Sequence, residues 1–198
     1  MKNVKLIVGL SNPIIQYNQT RHNMGAWFIQ NLAKFHNQIL KKHDKFLGYI
    51  GNFTYYNSKV YLLIPNIFMN LNAQSILIVS KFYKIMLDEI LVVHDELDLK
   101  PGSMRLKLGF GHNGHNGIRN IINVISKKNG FLRIQIGIGR PHGSKKISDF
   151  VLSSPLLEEK QLIERSILDA VKITNMLIKK NCFSVQHLKK LNQMINLR

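Results

Sequence analysis

The chain has 198 residues, 45% of them hydrophobic, a single cysteine and a formal net charge of +17 at pH 7. That length suits one domain with a full core, so residues 1–198 are expected to form a single domain. Lone Cys182 excludes an internal disulfide and fits a reducing compartment, and no apolar run approaches the roughly 20 residues needed to span a bilayer.

The first apolar run, Leu6 to Leu10, breaks at Ser11-Asn12-Pro13 and is too short for a signal-peptide core. A cytoplasmic protein with no membrane partner is therefore expected. The charge predicts attraction to a polyanion, with nucleic acid first.

In chain order, Val4 to Leu10 reads as a buried strand, short, β-branched and bounded by turn residues. A loop carrying Ser11, Asn12, Pro13 and Tyr17 follows, with Thr20 as N-cap of a helix through Met24, Trp27, Phe28 and Leu32. Residues 36–45 read as a solvated connection. Gly48 to Leu63 reads as a hairpin turning at Asn57-Ser58. After Pro65-Asn66, a helix carries Met69, Ala73, Ile76 and Ser80, with Phe68 and Asn70 at its entrance.

Ile90 to Val93 is a second buried strand, delivering His94-Asp95-Glu96. Ser103 to Leu108 alternates as a half-exposed strand should. Gly109 to Gly117 is a glycine-rich loop before a helical pattern through Ile118 and Ile125, and Phe131 to Ile138 is again strand-like. A basic loop, Arg140 to Lys146, precedes the longest amphipathic helix, Leu156 to Lys180, and a short helix covers Ser184 to Asn192. Alternating strands and helices predict an α/β three-layer sandwich with a twisted, mixed but mostly parallel sheet. Ligands bind such sheets at the carboxyl ends of the strands, which groups Asn12, His22 and Asp95 on one rim.

From Leu99 to Ser148 the chain has no acid but many lysines and arginines. Solvated faces mix both signs, so a phosphate backbone better explains this stretch. Arg105 and Lys107, one strand period apart, would share a face.

Three enzyme motifs compete. Gly109 to Gly114 matches a dinucleotide-binding fingerprint, but the acid expected about 20 residues on is missing. Gly9-Leu10-Ser11-Asn12 begins like a nucleophile elbow, but Pro13 stands where the second glycine belongs. His112 and His115 suggest a metal pair that lacks a nearby carboxylate or cysteine, so no metal and no cofactor are expected. What remains is histidine, carboxylate and amides, a set suited to activating water. Spacing alone does not select among the eight histidines.

Several blocks resemble bacterial peptidyl-tRNA hydrolase. They are Leu6-Ile7-Val8-Gly9-Leu10 with Asn12-Pro13, Tyr17 and Thr20-Arg21-His22-Asn23, then Pro65 with Phe68-Met69-Asn70. His94 to Asp98 with Pro101-Gly102, Gly114 to Gly117, Gly137 to Gly139 with Pro141, and Val151-Leu152 continue them in family order.

The resemblance implies a monomeric α/β hydrolase without a metal, acting on peptidyl-tRNA in translation. It makes His22 the general base and Asp95 the carboxylate that orients it. It assigns Asn12 to the peptide part, Asn70 and Asn116 to positioning substrate and water, and Tyr17 and Phe68 to lining the site. Phosphate contacts are expected from Arg105, Lys107, Arg133, Lys145 and Lys146. The alternatives are an RNA-end-binding module without chemistry, or a serine esterase using Ser11. Ile14, Ala73, Phe110 and Asn113 stand where the family usually has glycine, and Gln135 where it often has a second basic residue. Stiffer or differently bent loops are expected there.

Overall fold

The structure, a computed structural model, describes residues 3–126, 130–141, 143–144, 146–179, 186 and 190–193. Lys145 and most of the expected helix Ser184 to Asn192 lie outside the described residues.

Among the described residues, seven strands form one sheet in the order β2-β3-β4-β1-β5-β7-β6. They are β1 (Leu6–Gly9), β2 (Lys41–His43), β3 (Gly48–Tyr55), β4 (Ser58–Pro65), β5 (Ile90–Glu96), β6 (Met104–Gly109) and β7 (Phe131–Gly137). Strands β4, β1, β5 and β7 run parallel, and β2, β3 and β6 add antiparallel margins. The helices are α1 (Ile14–Tyr17), α2 (Met24–Phe35), α3 (Asn72–Phe82), α4 (Asn116–Ile121), α5 (Ile147–Val151) and α6 (Leu157–Lys179).

Strand alternation divides the core between the two faces. Ile7, Leu91 and Val93 pack with Phe28 and Leu32 of α2 and with Ile163 and Ile167 of α6. Leu6, Val8, Ile90 and Val92 pack with Ile76 and Val79 of α3 and with Ile118 and Ile121 of α4. The expected three-layer α/β sandwich is the observed one.

Local departures have physical causes. The 36–45 segment is not wholly a solvated connection, because Lys41–His43 pairs antiparallel with β3. The hairpin turns one residue earlier than expected, at Tyr56 and Asn57, whose φ angles of 46° and 60° are left-handed. Thr20 does precede a helical turn, but its hydroxyl donates to the Tyr17 carbonyl at 2.8 Å instead of capping it.

Ile14 opens α1 without a positive φ, so replacing glycine there brings no backbone strain. Asn113 does adopt the left-handed region, at φ 45°, which asparagine tolerates better than most residues.

One close approach positions the site. A Cβ on Gly25 would lie 2.4 Å from the Leu10 nitrogen and 2.5 Å from the Val93 carbonyl oxygen. A Cβ on Gly9 would lie 2.0 Å from the Gly25 carbonyl oxygen. Only two glycines let α2 begin directly against β1 and β5, and that seats the preceding turn, Arg21–Asn23, over the end of β5. At the far margin, Asn192 accepts from the Leu106 N–H at 2.9 Å and donates to the Leu106 carbonyl at 2.8 Å, gripping the outer side of β6.

Candidate active site

The carboxyl ends of β1, β4 and β5 lie side by side, because the chain leaves β1 for one side of the sheet and returns on the other. The loop after β1 is held by carboxamides. Asn23 accepts from the Asn12 N–H at 2.8 Å and donates to its carbonyl at 3.1 Å. Asn72 does the same for Ser11, at 3.0 and 2.9 Å. The side-chain oxygen of Asn12 accepts from the Met69 N–H at 2.9 Å, so its NH2 is the end left for the cavity.

His22 Nδ1 lies 3.0 Å from both oxygens of Asp95. His115 Nε2 lies 3.1 Å from Oδ1 of the same carboxylate. The Nδ1 of His115 accepts from the Ile118 N–H at 3.2 Å, which places the His115 proton on Nε2, facing Asp95. All three groups are buried, and their ligand-type atoms fall within 4.8 Å of one another, close enough for a metal ion by distance. The tautomer makes His115 Nε2 a donor to Asp95 rather than a metal ligand. The carboxylate that the sequence around His115 lacks is supplied by Asp95, 20 residues earlier in sequence.

One negative charge thus faces two imidazoles. Burial favours neutral forms, raising Asp95 and lowering both histidines. At Asp95 the two histidines outweigh burial and hold the carboxyl well below the usual carboxylate range. At His22 burial is outweighed by the charge and hydrogen bond of Asp95, so its pKa is raised above 6.5. At His115 burial wins and the pKa is lowered. Of the two rings, His22 is the one ready to take a proton.

With Nδ1 spent on Asp95, His22 leaves Nε2 to the cavities it lines. One, of about 450 Å³, is walled by Asn12, His22, Phe68, Asn70 and Asn116, with Met69 and, from α5, Ser148 and Val151. A second, of about 330 Å³, shares His22, Asn116, Ser148 and Val151 and extends past Asp95 to Arg140. Arg21 ties this region to the start of α6 by donating to Ser153, Ser154 and Glu159, the last at 2.5 Å.

Most of the expected site residues therefore converge, but Tyr17 does not line either cavity. Ser11 is fully buried and its hydroxyl donates to the Pro65 carbonyl at 2.5 Å, which removes the serine-esterase alternative. Arg133 requires a correction. Only 1% exposed, its guanidinium donates to the carbonyls of Gly109, Phe110 and Gly111, so it supports the glycine-rich loop and does not present itself to phosphate.

Arg105 and Lys107 remain half-exposed on one face of β6, opposite Gln135 and Arg133 of β7, and Lys146 is exposed before α5. Arg105 Nε donates to Gln135, which in turn donates to Glu96. Sequence reasoning missed His115, Met69, Asn23 and Asn72 as parts of the site. His115 was visible beside Asn116, but its contact with Asp95 was not.

A family model described as peptidyl-tRNA hydrolase matches residues 6–196. The chain belongs to this family. It is 55% identical over 174 residues to a peptidyl-tRNA hydrolase of Buchnera aphidicola subsp. Baizongia pistaciae, covering 87% of this chain and 84% of that one. It is 48% identical over 181 residues to that of Photorhabdus laumondii, covering 91% and 92%. The crystal structure of peptidyl-tRNA hydrolase from Acinetobacter baumannii superposes with a TM-score of 0.86 at 40% identity, covering 99% of this chain and 94% of that one.

Proposed function

We propose that His22 is the general base with which this member of the peptidyl-tRNA hydrolase family cleaves the ester between a peptide and the 3′ ribose of tRNA. Water bound at Nε2 gives its proton to the ring as its oxygen attacks the ester carbonyl. Asp95 fixes the tautomer through Nδ1–H and stabilises the imidazolium that forms. The tetrahedral intermediate collapses, the carbonyl re-forms, and the proton on Nε2 passes to the departing ribose oxygen. The products are the free peptide acid and tRNA.

Asn12 offers its NH2 to a peptide carbonyl. Asn70 and Asn116 hold substrate and water in attack geometry, and Phe68 covers the reacting end. Arg105, Lys107 and Lys146 supply the attraction for the RNA backbone. The observation that carries this reading is the buried His22–Asp95 pair, bonded at 3.0 Å through the nitrogen facing away from the carboxamide-lined cavity. The reading also takes residues 1–198 as one domain acting as a cytoplasmic monomer. Light scattering on the purified chain tests the monomer.

The deciding experiment incubates the protein with an N-acetyl-aminoacyl-tRNA and follows the appearance of deacylated tRNA. Turnover in the native chain, lost in His22→Ala while tRNA binding persists, is the expected result. Near-native turnover in the variant would remove His22 from the role of base.

A further inference from the structure

The larger cavity runs away from His22 along α4 and the wider helical turn that follows it, Ile122–Ser126. Asn116, Asn120 and Asn123 stand at i, i+4 and i+7 along this segment and all line the cavity, with Arg119 beside them. Asn12 and Asn70 face them, so five carboxamides share one groove.

Their orientation is biased. The Asn12 oxygen is taken by the Met69 N–H, and the Asn120 oxygen by the Ala73 N–H at 2.8 Å. Both therefore have NH2 groups left over. Arg119 adds only donors, and among the described residues no acid lines this cavity. A groove rich in donors complements a row of acceptors. Phosphate oxygens would call for more cation than one arginine, whereas Phe68, Met69, Val151 and Leu152 give the groove an apolar half suited to side chains. The acceptors that fit are main-chain carbonyls.

At about 1.5 Å of rise per residue, Asn116 and Asn123 are separated by about 10 Å along the helix. An extended peptide advances about 3.3 Å per residue, so the stripe spans about three residues. We infer that Asn120 and Asn123 extend the site into a subsite for peptide backbone, holding the two residues that precede the esterified one by their carbonyls and without regard to side chain. This rests on the hydrolase reading above.

The test uses one tRNA charged with N-acetyl-aminoacyl, dipeptidyl or tripeptidyl groups, and compares kcat/KM. In the native chain the value should rise with each added residue. In Asn123→Ala the ratio of tripeptidyl to N-acetyl-aminoacyl substrate should fall by about three- to tenfold, the worth of one hydrogen bond. Asn120→Asp keeps the acceptor for the Ala73 N–H but removes the NH2, and should lower the same ratio. Because each variant is compared with itself, partial loss of folded protein does not affect the reading.

A native chain indifferent to peptide length, or an unchanged ratio in both variants, would overturn the subsite. So would a weaker inhibition by deacylated tRNA with the ratio intact, which would assign the stripe to RNA. Absence of turnover on every substrate would instead overturn the hydrolase reading, and the subsite with it.

Discussion

At the centre of the sheet, where β1 lies between β4 and β5, the polar groups of the site are bonded to other parts of the chain. Two asparagines hold the Ser11-Asn12 backbone, and two histidines share Asp95. At the β6 side the arrangement is looser. Arg105 has a bond from Nε to Gln135, and Lys107 is left half-exposed, its pKa lowered first by partial burial and then by repulsion from Arg133 and Arg105. The difference follows from range. Proton transfer requires fixed geometry within hydrogen-bond distance, whereas attraction of a polyanion acts over roughly a Debye length and tolerates mobile side chains.

The sharpest way to break this contrast is at Asp95. Asp95→Asn should lower kcat by about 10²- to 10⁴-fold with little change in RNA affinity, read by single-turnover assay and filter binding. A large loss of binding would mean that the centre also recruits RNA.

Next in size is Arg133, a basic residue near the margin that behaves as a central one. Arg133→Met should cost about 2–3 kcal/mol in urea unfolding, since charge-assisted bonds to three loop carbonyls are lost. Lys107→Met should cost under about 0.5 kcal/mol yet weaken RNA binding. The opposite pattern would reverse the division drawn between them.

The pH dependence sharpens the same contrast. A general base must be neutral to act, so with His22 in the proposed role kcat/KM should rise with pH through a pKa above 6.5. In Asp95→Asn burial acts unopposed, and the rise should move to lower pH. For stability the signs follow from linkage. The raised His22 contributes stability that is full below pH 6.5 and lost as pH rises through its folded value. The lowered Asp95 contributes above pH 3.8 and loses it as pH falls. NMR titration of the His22 ring checks the first; a folded pKa below 6.5 in the native chain would contradict it.

The mildest test adds salt. RNA affinity should fall steeply and log-linearly as the gain from releasing counterions into more concentrated salt shrinks, while unfolding of the centre should respond little.

Much of the architecture was legible because its signals are local. The run Val4 to Leu10, the turn expected at Asn57-Ser58 and found one residue earlier, and the α6 pattern depend on neighbours along the chain. His115 escaped because its partner lies 20 residues away on another element, so beside His112 it looked like half of a metal pair. Arg133 misled for a related reason. An arginine in an acid-free stretch reads as surface charge, and nothing local shows that backbone carbonyls, which carry no sequence letter of their own, are its partners. β2 was missed because three polar residues, Lys41–His43, form a strand only when β3 offers them a partner.

The grip of Asn192 on Leu106 bears on how the protein behaves at high concentration. A sheet margin with open N–H and C=O groups is a template on which a second chain can add a strand. The Asn192 carboxamide occupies one donor and one acceptor in the middle of β6, as a short piece of neighbouring strand would. An incoming chain would meet an interrupted ladder and could not zip along it. Shortening the chain before residue 192 would uncover that margin, and the first sign should be slow fibrous aggregation from fully active protein.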